Sequence, residues 1–362
     1  MGSEMCIRDS PEENILALKL QRQLQVFNLE TKAKLKSHMS PQDVIYWRWI
    51  SATVLGIVTT SSVYHWSIED DAAPQKVFDR HASLADTQII NYRASADGKW
   101  MVLIGISSNT VDANAFRIKG SMQLYSKERG VSQPIDGHAA AFAELKTQDA
   151  NVPYKLFTFA VRTSTGAKLH IVEIDHAPEN PAFSKKTVDV FFPDEATNDF
   201  PVAMQVSKRY GIVYLMTKYG FIHLYDLETG ACIYMNRVSG ETVFVAAEQK
   251  SSNGIIAVNR RGQVLSVSVD ADTIIPYILR TLNNTDLAFK LASRGNLPGA
   301  DEMYLQQFHS LFSTGQYTEA IKIAANSPRG ILRTPQMIEQ LKQVPSQPGT
   351  LSPILQYFGM LL

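Results

Sequence analysis

The chain has 362 residues, 35 Lys plus Arg against 35 Asp plus Glu, and 45% hydrophobic residues, so it can fill a sizeable core and carries no net charge. That balance excludes a general nucleic-acid or anionic-membrane binder, which needs a basic excess or a basic face. Two cysteines, Cys6 and Cys232, exclude a disulfide framework, and no apolar run reaches the roughly 18 residues of a membrane span.

From about residue 14 to 271 the chain alternates short apolar runs with Gly, Asn, Asp and Ser, which is a β pattern with almost no helical period. One element recurs, read here as the closing strand of a repeat: Leu24–Leu29, Val63–Ile68, Met122–Ser126, Leu169–Ile174, Ile222–Leu227 and Val264–Val269. The copies lie about 40 to 60 residues apart, which brackets the roughly 40 to 50 residues of a four-stranded blade. The expected fold is therefore an all-β propeller of about six blades. Hairpins precede the recurring strand, as in Thr53–Val58 before Val63 and Gly211–Met216 before Phe221. Ser95-Ala96-Asp97-Gly98 is a turn that delivers Trp100 to the next strand. The same turn loosely resembles a sialidase Asp-box, with too short a spacing from Gly to the aromatic.

After Asp272 the period becomes 3.6. Asp301 to Thr314 puts Leu305, Phe308, Leu311 and Phe312 on one face, Gly315 breaks the helix, and Gln316 to Asn326 answers with Tyr317, Ala320, Ile321 and Ala324. This is a helical hairpin of the solenoid kind. Further helical pieces are predicted at Ile274–Leu282, Asp286–Ser293, Arg333–Val344 and Ser352–Leu362. The last has an uncovered apolar face, and the natural chain is expected to continue. The predicted division is thus 11–271 for the propeller and 272–362 for the helical linker and solenoid start, after a leader of residues 1–10.

Catalytic constellations are missing from the sequence. There is no phosphate-cradling loop, dinucleotide fingerprint, H-E-x-x-H or C-x-x-C, so the reading is a non-enzyme with no cofactor, catalytic or metal site. His65, His170 and His223 share a position in the repeat and are expected to be packed rather than metal-bound. Asp79-Arg80-His81 and Glu69-Asp70-Asp71 read as solvated loop charge, and Cys232 as a buried structural thiol. Asn283-Asn284-Thr285 fits a glycosylation sequon, but without an export signal it reads as an unused surface tripeptide in a cytosolic protein. The rival from another class is a propeller hydrolase of sialidase type, which needs converging carboxylates at one mouth of a ring.

A set of dispersed segments carries a resemblance: Phe78-Asp79-Arg80-His81, Gln88-Ile89-Ile90-Asn91-Tyr92-Arg93, Val131-Ser132-Gln133-Pro134-Ile135, Val188–Pro193, Asn198–Gln205, Tyr225–Gly230 and Gly330–Pro335. From about Pro11 to Leu362 the chain resembles the N-terminal part of the clathrin heavy chain family. That family implies a seven-bladed propeller followed by an α-zigzag linker. Here six repeats are counted and residues 1–10 do not match, so the first blade is expected to be missing and MGSEMCIRDS to be an artefactual leader. The connection Ser107 to Gly120 is longer than the family's and is expected to form a larger surface loop.

The resemblance also implies sites. The family's clathrin-box groove lies between its first two blades and takes extended peptides with alternating large apolar and acidic residues. Leu16, Gln23, Gln25 and Phe27 match its second-blade lining, with Gln23 where a smaller hydroxyl residue is usual. Lys32 and Lys34 match its basic rim, although on their own Lys32, Lys34 and Lys36 read as a solvated turn. By alternation Gln23, Gln25 and Phe27 share one face and Lys32 and Lys34 another. With one wall left, such peptides are expected to bind far more weakly. A top-face pocket for tryptophan-containing peptides matches Gln88, Ile90 and Trp100, with Phe27 nearby. A groove for an arrestin loop matches Leu124, Arg129, Val131, Gln133 and Ile135. The implied role is an adaptor-binding head on the cytoplasmic face of coated pits and vesicles. Its partners would be endocytic adaptors and arrestin-like proteins, with clathrin light chain and other heavy chains held only through regions absent here.

Overall fold

The structure is a computed structural model and describes residues 5–10, 14–108, 118–345 and 351–361. Among these residues the strands form six antiparallel sheets, each from strands consecutive in sequence. The first contains β1 (Met5–Asp9), β2 (Ile15–Leu20), β3 (Gln23–Asn28) and β4 (Ala33–Met39); the second β5 (Val44–Trp49), β6 (Val54–Thr59), β7 (Ser62–Ser67) and β8 (Gln75–Asp79). The third has β9 (Gln88–Ala94), β10 (Trp100–Ser108), β11 (Ile118–Ser126) and β12 (Val131–Asp136); the fourth β13 (Ala139–Leu145), β14 (Tyr154–Thr163), β15 (Gly166–Asp175) and β16 (Lys186–Asp189). The fifth has β17 (Pro201–Ser207), β18 (Ile212–Thr217), β19 (Phe221–Asp226) and β20 (Cys232–Arg237), and the sixth only β21 (Val243–Gln249), β22 (Gly254–Asn259) and β23 (Val264–Val267). These are propeller blades.

The recurring strand of the sequence is β3, β7, β11, β15, β19 and β23, always the third of its sheet. It does not close the blade, because in five sheets a fourth and more exposed strand follows it, such as β4, β12 and β20. The fourth strand was hard to read because its solvated positions dilute the apolar alternation. Residues Met5–Asp9 of the supposed leader pair antiparallel with β2, Asp9 opposite Leu16, and so take part in the fold. In the Ser107–Gly120 connection, β10 and β11 continue their ladder to Ser108 opposite Ile118, and 109–117 lie outside the described residues. Gly98 has φ +64 in the Ser95 turn, where the Ser95 hydroxyl donates to Asp97 and accepts the Trp100 N–H at 3.0 Å.

Alternation builds the cores. Ile15, Ala17, Leu24 and Val26 of the first sheet pack with Val44, Trp47, Trp49, Leu55, Ile57 and Trp66 of the second. The second sheet turns Val58, Val63 and Phe78 the other way, onto Leu84, Ile89, Tyr92, Met101 and Leu103. Arg80, expected in solvent, donates to the Thr59 and Thr60 carbonyls (3.4 and 2.7 Å) and to Leu84 O. It ties a hairpin turn to the next connection. Cys232 is exposed rather than buried, because it begins the outer strand β20 after a register shift opposite Tyr225.

The helices are α1 (Ile274–Arg280), α2 (Thr285–Gly295), α3 (Asp301–Ser313), α4 (Tyr317–Ala325), α5 (Pro335–Gln343) and α6 (Pro353–Leu361). Asn284 of the sequon caps α2, accepting the Leu287 N–H at 3.0 Å, and Thr334 caps α5 ahead of Pro335. The buried face of α3 is centred on Tyr304 and Phe308, with Leu305 39% exposed. Tyr304 stacks on Phe289 at 4.2 Å and donates to its carbonyl, which turns the helix away from the predicted face. The chain divides into two compact units: Met1–Phe142 with Phe159–Leu169 and Asp189–Val202, and Ala143–Thr158 with His170–Val188 and Ala203–Leu362.

Candidate functional site

Among the described residues the first sheet packs one face against the second sheet and keeps the other half-buried to exposed, an open face. On the open face β2 presents Leu16, Leu18 and Leu20, opposite Phe27, Gln25 and Gln23 of β3. A cavity of about 300 Å³ there is lined by Leu16, Leu18, Phe27, Asn28, Leu29 and Lys32. Gln23 and Gln25 share the face without lining the cavity. Leu18 and Leu20 escaped the sequence reading, although the two-residue step from Leu16 points to both.

The lysines require a correction. A bulge between Val26 and Phe27 puts Lys34 directly opposite Phe27, and directly opposed residues share a face. Lys34 therefore stands on the same face as Phe27, not on another. Lys32 sits in the β3–β4 turn at φ +54 and reaches the cavity. Both are exposed. Lys36 is not a free rim charge: its ammonium donates to the carbonyls of Ser67 (2.8 Å), Ala72 (3.0 Å) and Asp70, and lies over the Trp66 ring.

The residues matched to a top-face pocket do not assemble. Gln88 stands opposite Ile106 on β10, whereas Trp100 opens that strand, about 20 Å away at the ordinary strand rise. Phe27 belongs to the first-sheet face. The residue beside Gln88 is the half-buried Ile106; its signal lay in the β9–β10 register, which the sequence does not print.

The third set is brought together. Val131, Gln133 and Ile135 of β12 stand opposite Ser126, Leu124 and Met122, so the buried Leu124, 6% exposed, shares their face beside an exposed outer strand. Arg129 lies in the turn between β11 and β12 rather than on a strand. The opposite face is committed to structure, since the Gln123 amide bonds the His81 N–H, Asp79 O and the Ser132 hydroxyl.

The three repeat-position histidines are spread over separate sheets. His65 Nε2 meets the Tyr92 hydroxyl at 2.8 Å and His170 Nδ1 the Thr187 hydroxyl at 3.1 Å, while His223 is buried. Burial holds both His65 and His223 down to about 4, with Lys127 adding to the effect at His65. Among the described residues no three His, Cys, Asp or Glu side chains gather as a metal site would require.

Comparison with known families matches the clathrin propeller repeat at residues 193–228 and 236–270, the clathrin heavy-chain linker at 272–294 and Clathrin-H-link at 296–361. The probable clathrin heavy chain of Schizosaccharomyces pombe is 55% identical over 352 residues, 97% of this chain and 21% of that protein. The clathrin heavy chain of Drosophila melanogaster is 56% identical over 355 residues, 98% and 21%, and clathrin heavy chain 2 of Homo sapiens 51% over 354, again 98% and 21%. The chain thus spans about a fifth of the length of these relatives.

Proposed function

Because this chain belongs to the clathrin heavy chain family, matching its N-terminal propeller and linker, we propose that it is the peptide-capturing head of a vesicle coat protein. It holds short extended segments of endocytic adaptors at its blade faces, in the cytoplasm at coated pits and vesicles. The observation that carries this reading is the open face of the first sheet, an apolar cavity of about 300 Å³ lined by Leu16, Leu18 and Phe27 and edged by Lys32. Such a face suits an extended strand whose alternate residues are large and apolar, with carboxylates left to pair with Lys32 and Lys34. The third-sheet face around Gln133 and Ile135 is a second candidate, for arrestin-like loops. Each contact is weak alone, and many tethered copies supply the net affinity by raising the effective concentration. Light chains and further heavy chains would engage regions outside this chain.

Weak binding calls for a residue-resolved test. Titrating a peptide of alternating leucines and acidic residues into labelled protein should shift the amides of residues 16–32 in a saturable way. Phe27→Ala with Lys32→Glu should remove those shifts. Shifts confined to other sheets, or none at millimolar peptide, would sink the assignment.

A further inference from the structure

Helix α2 ends on a buried cluster of charge. The Arg294 guanidinium, 8% exposed, donates from Nε to the Tyr210 carbonyl at 2.9 Å, from Nη1 to Glu228 Oε2 at 2.8 Å, and from Nη2 to Asp226 Oδ1. Asp226 is fully buried, and its other oxygen accepts the Thr229 N–H and hydroxyl, both at 2.8 Å. The approach is close: a Cβ on Gly211, at φ +62, would lie 2.7 Å from Arg294 Nε, and one on Gly295 3.1 Å from the Tyr210 ring. One turn earlier, Lys290 lies 3.8 Å from Glu228 and 3.0 Å from Asp286.

Two things could hold α2 on the fifth sheet, this cluster or the apolar side of the helix, where Leu287, Ala288, Leu291 and Ala292 are buried. Desolvation takes back most of what a buried ion pair contributes to net stability. A planar guanidinium gripping oxygens along several edges supplies direction instead, because its donors are fixed in one plane. Apolar packing tolerates small rotations that such a fork does not.

We infer that Arg294, Asp226 and Glu228 form a clasp that fixes the orientation of α2 on the fifth sheet, and that its loss lets α1 and α2 open locally while the sheet stays folded. The inference is independent of peptide capture. Hydrogen exchange on the full chain reads it, because local opening exposes amides that global unfolding does not single out. Arg294→Met keeps the stem but takes the only charged donor from Asp226 and leaves Glu228 with Lys290 alone, and it should raise exchange across 274–295 at least tenfold with β18 and β19 unchanged. Arg294→Lys, which keeps the charge without the fork, should fall between.

Should Arg294→Met fail to fold, the triple variant Arg294→Met, Asp226→Asn, Glu228→Gln leaves no buried charge unpaired and still decides the matter. Faster exchange confined to α1 and α2 supports the clasp. Protection equal to the parent's would mean that apolar packing sets the helix, and loss of protection in β18 and β19 as well would mean that the cluster belongs to the common core. Either result overturns the inference.

Discussion

Gly56 shows how little room one residue can have. A Cβ at this position would sit 2.8 Å from two carbons of the Tyr92 ring and 3.1 Å from Ile50. The ring cannot easily yield, since its hydroxyl is bonded to His65 and Phe78 packs beside it. Gly56→Ala should therefore cost about 1 to 3 kcal/mol by overpacking, read as a lower urea midpoint with an unchanged slope; an unchanged midpoint would show that Tyr92 is free to shift. His65 and His223 make a second case. Their folded pKa values, about 4, lie below the ordinary value near 6.5, so the folded state prefers the neutral ring. The stability they contribute is fully present above pH 6.5 and is lost as pH falls toward 4, by linkage on the order of 3 kcal/mol each. His223→Gln should flatten the acid limb of a plot of thermal midpoint against pH, and a limb of the same steepness would assign the acid sensitivity elsewhere.

Strand β12 is an element whose two sides have separate work. One side meets Gln123 and the structural network around Asp79, and the other exposes Val131 and Gln133 beside Leu124. Replacing Gln133 and Ile135 with Ala should abolish binding of an arrestin-loop peptide while moving stability by no more than about 0.5 kcal/mol at the exposed position. Unchanged peptide affinity, or a collapse of the thermal midpoint, would count against the groove. The sheets and helices were legible in advance because alternation and the 3.6 period are written in consecutive residues: among the described residues every recurring strand and all six helices fall where those periods place them. The Leu16 and Phe27 face was legible for the same reason. The partner of Gln88 and the side taken by Lys34 were not, because a bulge in β9 and another at Val26 decide them, and a single-residue bulge leaves no mark on an apolar pattern.

For the molecule as a whole, the open face of the first sheet sets behaviour in solution. Leu20 and Met39, 43% and 63% exposed, extend the apolar surface beyond the cavity, and a chain of zero net charge has no long-range repulsion to keep copies apart. Sedimentation should show concentration-dependent association that Leu20→Lys with Met39→Lys suppresses; a monomer at all concentrations would contradict this. The order of strands has a different consequence, for synthesis. Since every sheet is assembled from neighbours in the chain, each can form as soon as its own stretch of about 40 residues has left the ribosome, with short loops to close. Folding is then expected to proceed blade by blade from the first sheet, with each finished sheet offering the next a ready surface on which to condense.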